Sequence, residues 1–205
     1  MSAATVTPAA SRWGFVEIVK FVSGVTTLAA ELAAARLIAP AFGASTVVWA
    51  NTIAIALAAL AIGYWLGGRL ADRHPHERAM ARGGLAGALM VALIPLVALP
   101  LLGATEDSLG EFGGSFLVQL VLVAPPLVVL GALTPWAIRL RVSSVAGAGD
   151  ATGRLYALST AGGLVGNFAA ALALIPLVGT TWTFIIAAGL LAGVCLPRAW
   201  SSKPA

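Results

Sequence analysis

Glu17, Lys20 and Glu31 stand in a segment otherwise built largely from Ala, Val, Leu and Phe. On a helix they fall, with Gly24, within roughly 60° of one another, and Thr27 lies just beside them. Two carboxylates, an ammonium and a hydroxyl on one apolar face are the groups a cation or proton site uses. Glu17 and Lys20 come early enough to reach an aqueous boundary through their methylene stems. Glu31 lies about 21 Å beyond Glu17 along the helix axis, inside any hydrocarbon layer. A carboxylate there is costly unless it is paired, protonated or facing water. Glu31 therefore marks either an ion or proton site, or a structural pair with Arg36 or with a polar group of another helix. Arg36 leaves the helix roughly 140° away, which makes a direct contact awkward.

A second polar stripe comprises Tyr156, Thr160, Gly163 and Asn167, spaced i, i+4, i+7 and i+11, with Ser159 at its flank. Such groups face protein in a bilayer and serve as interhelical glue or as ligand contacts. Asn167 is the member placed to touch a ligand. Gly162/Gly166, Gly63/Gly67 and Gly189/Gly193 have the spacing of close-packing seams. Gln119, Pro125-Pro126 and Thr134-Pro135 share one apolar run, where the double proline frees backbone carbonyls and predicts a kink. His74 and His76 flank Pro75 without the carboxylates a metal site needs. Cys195 is a single small apolar side chain, and one cysteine builds neither a disulfide nor a cysteine metal site within one copy. No Ser-His-Asp set, nucleotide loop or cofactor motif is present.

The elements that hold these residues follow from charge. Only 10% of the 205 residues are charged and 60% are hydrophobic, against about 25% charged in a soluble domain. Uncharged runs cover 37–68, 83–105, 112–138 and 155–197. A membrane helix needs about 20 predominantly apolar residues. These runs exclude a soluble enzyme, a disordered chain and a nucleic-acid-binding domain, and their lack of alternation excludes a β-barrel. Glu17, Lys20 and Glu31 interrupt the first apolar segment as no ordinary signal peptide would tolerate.

Proline, glycine and charge predict an all-α, polytopic membrane protein. Its six-helix membrane domain covers 13–197, with spans at about 13–38, 46–67, 83–102, 115–138, 155–178 and 181–196. Short cytoplasmic tails cover 1–12 and 198–205. Ten of the twelve Lys and Arg fall on one side of this scheme: Arg12, Arg69, Arg73, Arg78, Arg82, Arg139, Arg141, Arg154, Arg198 and Lys203. The opposite side receives none and carries Glu106, Asp107 and Glu111. That bias puts both termini in the cytoplasm of a plasma-membrane protein and accounts for the net charge of +4 without nucleic acid. Pro40-x-x-Gly43, Pro100-x-x-Gly103 and Pro176-x-x-Gly179 each close an outward helix, which predicts three hairpins: 1–2, 3–4 and 5–6.

Several segments together resemble the membrane domain of bacterial spermidine-synthase-like proteins, the fused transporter-like/spermidine synthase family. They are Phe21-Val22-Ser23-Gly24 with Glu31, Ala35 to Ser45 with Trp49, Gly63 to Arg73, Gly153 to Gly163 with Gly166, and Leu174 to Gly179. The resemblance spans about residues 15–197. It implies a membrane unit that works with an aminopropyltransferase-like domain. That domain's catalytic residues have no matching positions in these 205 residues, so no enzyme activity is expected of this chain alone.

The leading expectation is a subunit that anchors or serves a spermidine-synthase-like partner at the cytoplasmic face and handles a cationic amine. Glu31, Lys20, Glu17, Tyr156, Thr160 and Asn167 are its candidate substrate or ion residues. Arg69, Arg73, Arg78, Arg139 and Arg141 are its candidate docking residues. The alternatives are a small independent cation or polyamine transporter or channel, self-associated or not, and a structural subunit of a larger membrane complex.

Overall fold

The computed structural model describes residues 13–105, 109–142 and 144–200. The expected tail 1–12, residues 201–205 of the other tail, and the charges Arg12, Glu106, Asp107 and Lys203 lie outside them. The described regular structure is entirely helical: α1 (Phe15–Phe42), α2 (Thr46–Arg73), α3 (Glu77–Thr105), α4 (Gly110–Leu122), α5 (Ala124–Arg141), α6 (Ala148–Ala169) and α7 (Ile175–Ala199). A 3-10 turn, Val145–Gly147, precedes α6, and a π-helical turn, Ala170–Leu174, joins α6 to α7. By length and composition four helical stretches can cross a membrane: α1, α2, α3 and the continuous Ala148–Ala199 stretch. Helices α4 and α5 make a fifth if the bent pair counts as one.

Helix ends follow backbone chemistry more than hydropathy. α1 stops at Gly43, whose φ of 76° is open to glycine and strained for other residues, and whose N–H donates to the Ala39 carbonyl. The Ser45 hydroxyl then caps α2 by accepting from the Val48 N–H at 3.3 Å. At the other end α2 continues to Arg73 and α3 starts at Glu77, which leaves 74–76 as the connection. The Arg-rich loops expected at 69–82 and 139–154 are thus mostly helix ends. A helix propagates past the last apolar residue as long as its side chains can reach water.

The double proline produces the expected kink, at Val123, which stays in the helical region and keeps a helical hydrogen bond on either side. Pro125 and Pro126 lack the N–H groups that the Val121 and Leu122 carbonyls would need, so α4 ends and α5 starts on the prolines, bent by 49°. The expected span 115–138 is therefore two helices starting earlier, at Gly110. Pro176 acts more mildly: the chain widens into the π-turn directly ahead of it and continues helical to Val178. Gly179, with φ 83°, then ends that run.

Contacts set the directions. Glu17 and Lys20 in α1 meet Arg141 and Thr134 in α5, so those helices are antiparallel. Gly162 and Gly166 lie against the Phe21 and Val25 carbonyls, which makes α1 and α6 parallel. Gly63 and Gly67 likewise lie against Val128 and Ala132, which makes α2 and α5 parallel. Thr26 donates to the Ala187 carbonyl and Arg198 lies over Phe15, so α7 runs against α1. It also runs against α3, where Glu77 meets Arg198 and Gly84 meets Cys195 and Leu191. The chain thus traverses the bundle in alternating directions, reversing at Gly179.

The packing differs from a set of three closed hairpins. Short connections at 43–45 and 74–76 join α1 to α2 and α2 to α3, yet the closest pairs are α2 with α5, α1 with α6 and α3 with α7. The glycine seams decide this, since a Cβ at Gly162, Gly166 or Gly67 would overlap the facing helix. Gly189 and Gly193 meet nothing within 4 Å, so that expected seam is not one.

Candidate functional site

A cavity of about 420 Å³ lies between α1, α2, α5 and α6. α2 and α6 form opposite walls and do not pack closely on each other. Lys20 enters from α1. Its side chain is only 1% exposed, and Nζ donates to Thr134 Oγ1 at 2.7 Å. The α6 stripe supplies Tyr156, Ser159, Thr160 and Asn167, while α2 adds Tyr64. The hydroxyls of Tyr64, Tyr156, Ser159 and Thr160 and the Asn167 amide make no side-chain hydrogen bond among the described residues. Leu28, Leu60, Leu130 and Leu164 complete an otherwise apolar wall. The two stripes therefore meet because the α1–α6 glycine seam holds their backbones together.

Glu17 does not belong to this cavity. It forms a two-point ion pair with Arg141, Oε1 to Nε and Oε2 to Nη2, each 2.8 Å. That carboxylate holds the Arg141 guanidinium above its ordinary pKa. Glu31 is set apart as well, in a neighbouring cavity of about 190 Å³ with Leu28, Leu32, Trp49, Thr52, Ile53, Ala56 and Asn167. Asn167 and Leu28 line both cavities. Glu31 has no hydrogen bond or ion pair among the described residues, and Arg36 is exposed and unpaired with it.

The five expected docking arginines have unequal surroundings. Arg141 is committed to Glu17, and Arg139 Nε pairs with Asp72 Oδ1 at 3.2 Å. The Arg69 guanidinium stacks over Trp65 at 3.9 Å from its ring centre, and Arg73 and Arg78 are exposed at the ends of α2 and α3. Arg141 is thus part of the bundle rather than a free docking contact.

Sequence reasoning passed over Tyr64, and it gave Ser23 no role in the site. Tyr64 sits in a glycine-rich run whose partner helix no spacing announces. Ser23 has its hydroxyl on the Lys20 carbonyl at 3.0 Å. A further polar feature is structural: Asn51 Nδ2 donates to Ser115 Oγ at 2.9 Å and to the Phe112 carbonyl at 3.1 Å, and Ser45 bonds Glu111. One turn along α4, Gln119 is 0% exposed and neither its Oε1 nor its Nε2 has a partner. Among the described residues no three His, Cys, Asp or Glu gather as metal ligands.

No family model matches the chain, and neither does any curated protein or solved structure.

Proposed function

We propose that the chain is a six-span protein of the plasma membrane, transporter-like in action, that admits a small polar solute to the cavity between α1, α2, α5 and α6. The observation that carries the reading is the set of unbonded donors around Lys20. Groups of this kind are costly in hydrocarbon and are found where protein, water or a ligand meets them. A volume of about 420 Å³ is in the range of small-molecule sites. The alternating helix directions and the one-sided Lys and Arg support six crossings, with both termini and the α2–α3 and α5–α6 connections in the cytoplasm.

The test is water access. In a Cys195→Ala background, Ser159→Cys reconstituted in nanodiscs should react with a small charged methanethiosulfonate. Failure to react, with Val145→Cys reacting normally, would remove the solute reading.

The second reading is that the same unit anchors or serves an aminopropyltransferase-like partner at the cytoplasmic face. It rests on the resemblance of the membrane segments, and the exposed Arg73 and Arg78 beside the 74–76 connection favour it. Co-purification of a soluble transferase in mild detergent, lost on charge reversal at Arg73 and Arg78, supports it. A solitary chain or a self-dimer under those conditions counts against it.

A further inference from the structure

Among the described residues, Lys20 brings the only formal charge to the cavity lining. Among those residues its ammonium has one partner, the Thr134 hydroxyl, so two N–H groups are left without an acceptor beside a cavity whose own lining holds no acid, Glu31 lying in the adjoining one. The nearest acid along α1, Glu17, is fully engaged by the Arg141 fork. Ser23 and Thr27 also line the cavity, but their hydroxyl protons are given to the Lys20 and Ser23 carbonyls. The donors left for a ligand are the Lys20 ammonium, the hydroxyls of Tyr64, Thr134, Tyr156, Ser159 and Thr160, and the Asn167 amide.

This inventory has a sign. A buried ammonium without a counterion is complemented by an anion, and an amine would meet it as a like charge. One charge suits a monoanion, and two spare N–H groups on one nitrogen suit the two oxygens of a carboxylate. The four leucines of the wall suit an apolar body behind that head. We infer that the cavity takes a small organic monocarboxylate with an apolar body, its carboxylate on Lys20. This rests on the solute-binding reading and reverses the expectation of a cationic amine.

The experiment uses Ser159→Cys in the full chain lacking Cys195, in nanodiscs, with protection from methanethiosulfonate as the readout. Phenylacetate at millimolar concentration should slow modification, and benzylamine and spermidine should not. Lys20→Met should weaken phenylacetate protection about tenfold or more, the loss expected for a charge-assisted hydrogen bond. Comparing phenylacetate with benzylamine on a chain that keeps Lys20 needs no variant there, so a misfolded Lys20→Met leaves the inference testable. A cysteine that never reacts refutes the solute cavity itself. A reactive cysteine that phenylacetate fails to protect, or that the amines protect better, refutes the carboxylate assignment alone.

Discussion

Glu17 and Arg141, 124 positions apart, close the base of the bundle with a two-point ion pair between the first turn of α1 and the last residue of α5. The pair excludes Glu17 from ligand chemistry, and it leaves Lys20 without an acid. Breaking it should cost on the order of 1–3 kcal/mol, less than a deeply buried pair because Arg141 is partly open to water. Glu17→Gln and Arg141→Gln should each lower thermal stability in detergent, and together they should cost less than the sum of the two. Strict additivity would show that the contact contributes nothing.

Gln119 offers the opposite test. Both of its amide atoms are buried without partners, a state that costs about 1–3 kcal/mol. Gln119→Met keeps the length and removes the polar atoms, so the unfolding temperature should rise. A fall would mean that the amide is needed where it stands.

The α1–α6 seam should be intolerant and the α7 glycines indifferent. Gly162→Ala and Gly166→Ala place a methyl group on a facing backbone carbonyl and should each destabilise by about 1–3 kcal/mol. Gly189→Ala and Gly193→Ala meet open space and should be neutral or slightly stabilising. Equal sensitivity at all four would refute the seam assignment.

Topology is open to direct labelling. In the Cys195→Ala background, Ala44→Cys should react with an impermeant maleimide from the outside of intact cells. His76→Cys and Val145→Cys, both at exposed positions, should react only after permeabilisation. Labelling of all three from one side would overturn the six-span scheme.

The chain by itself should transfer no aminopropyl group. That reaction needs an enclosed pocket for a thioether donor and acids that orient and deprotonate an amine. The described acids at the arginine-rich end of the bundle are Glu17, Asp72, Glu77 and Asp150, of which Glu17, Asp72 and Glu77 are held by Arg141, Arg139 and Arg198. Polyamine formation by the purified chain, free of any partner, would refute this.

Much of the architecture is legible because hydrocarbon thickness sets the length of an apolar run. Pro-x-x-Gly marks the reversals at Gly43 and Gly179 but not an end at Gly103, where α3 continues to Thr105, and the bend at Val123 follows from the missing N–H groups of Pro125 and Pro126. Helix pairing is less legible. Glycine spacing shows that a face is small, not which helix it meets: Gly162/Gly166 found α1, and Gly189/Gly193 found nothing. The site was half visible for the same reason. The Tyr156–Asn167 stripe announces itself by period, whereas Lys20 meeting Thr134 across 114 positions, and Tyr64 facing both, depend on packing that no local pattern encodes.

The partners of α1 come from α5, α6 and α7, and this has a consequence for biogenesis. A ribosome adds about 5–20 residues per second, so Glu17 waits about 6–25 seconds before Arg141 is made. During that interval the first helix carries Glu17 and Lys20 without Arg141 and Thr134, and Glu31 has met only the α2 part of its surroundings. Insertion of α1 should therefore be provisional, held at the translocon or the membrane surface until the second half of the chain arrives to claim it.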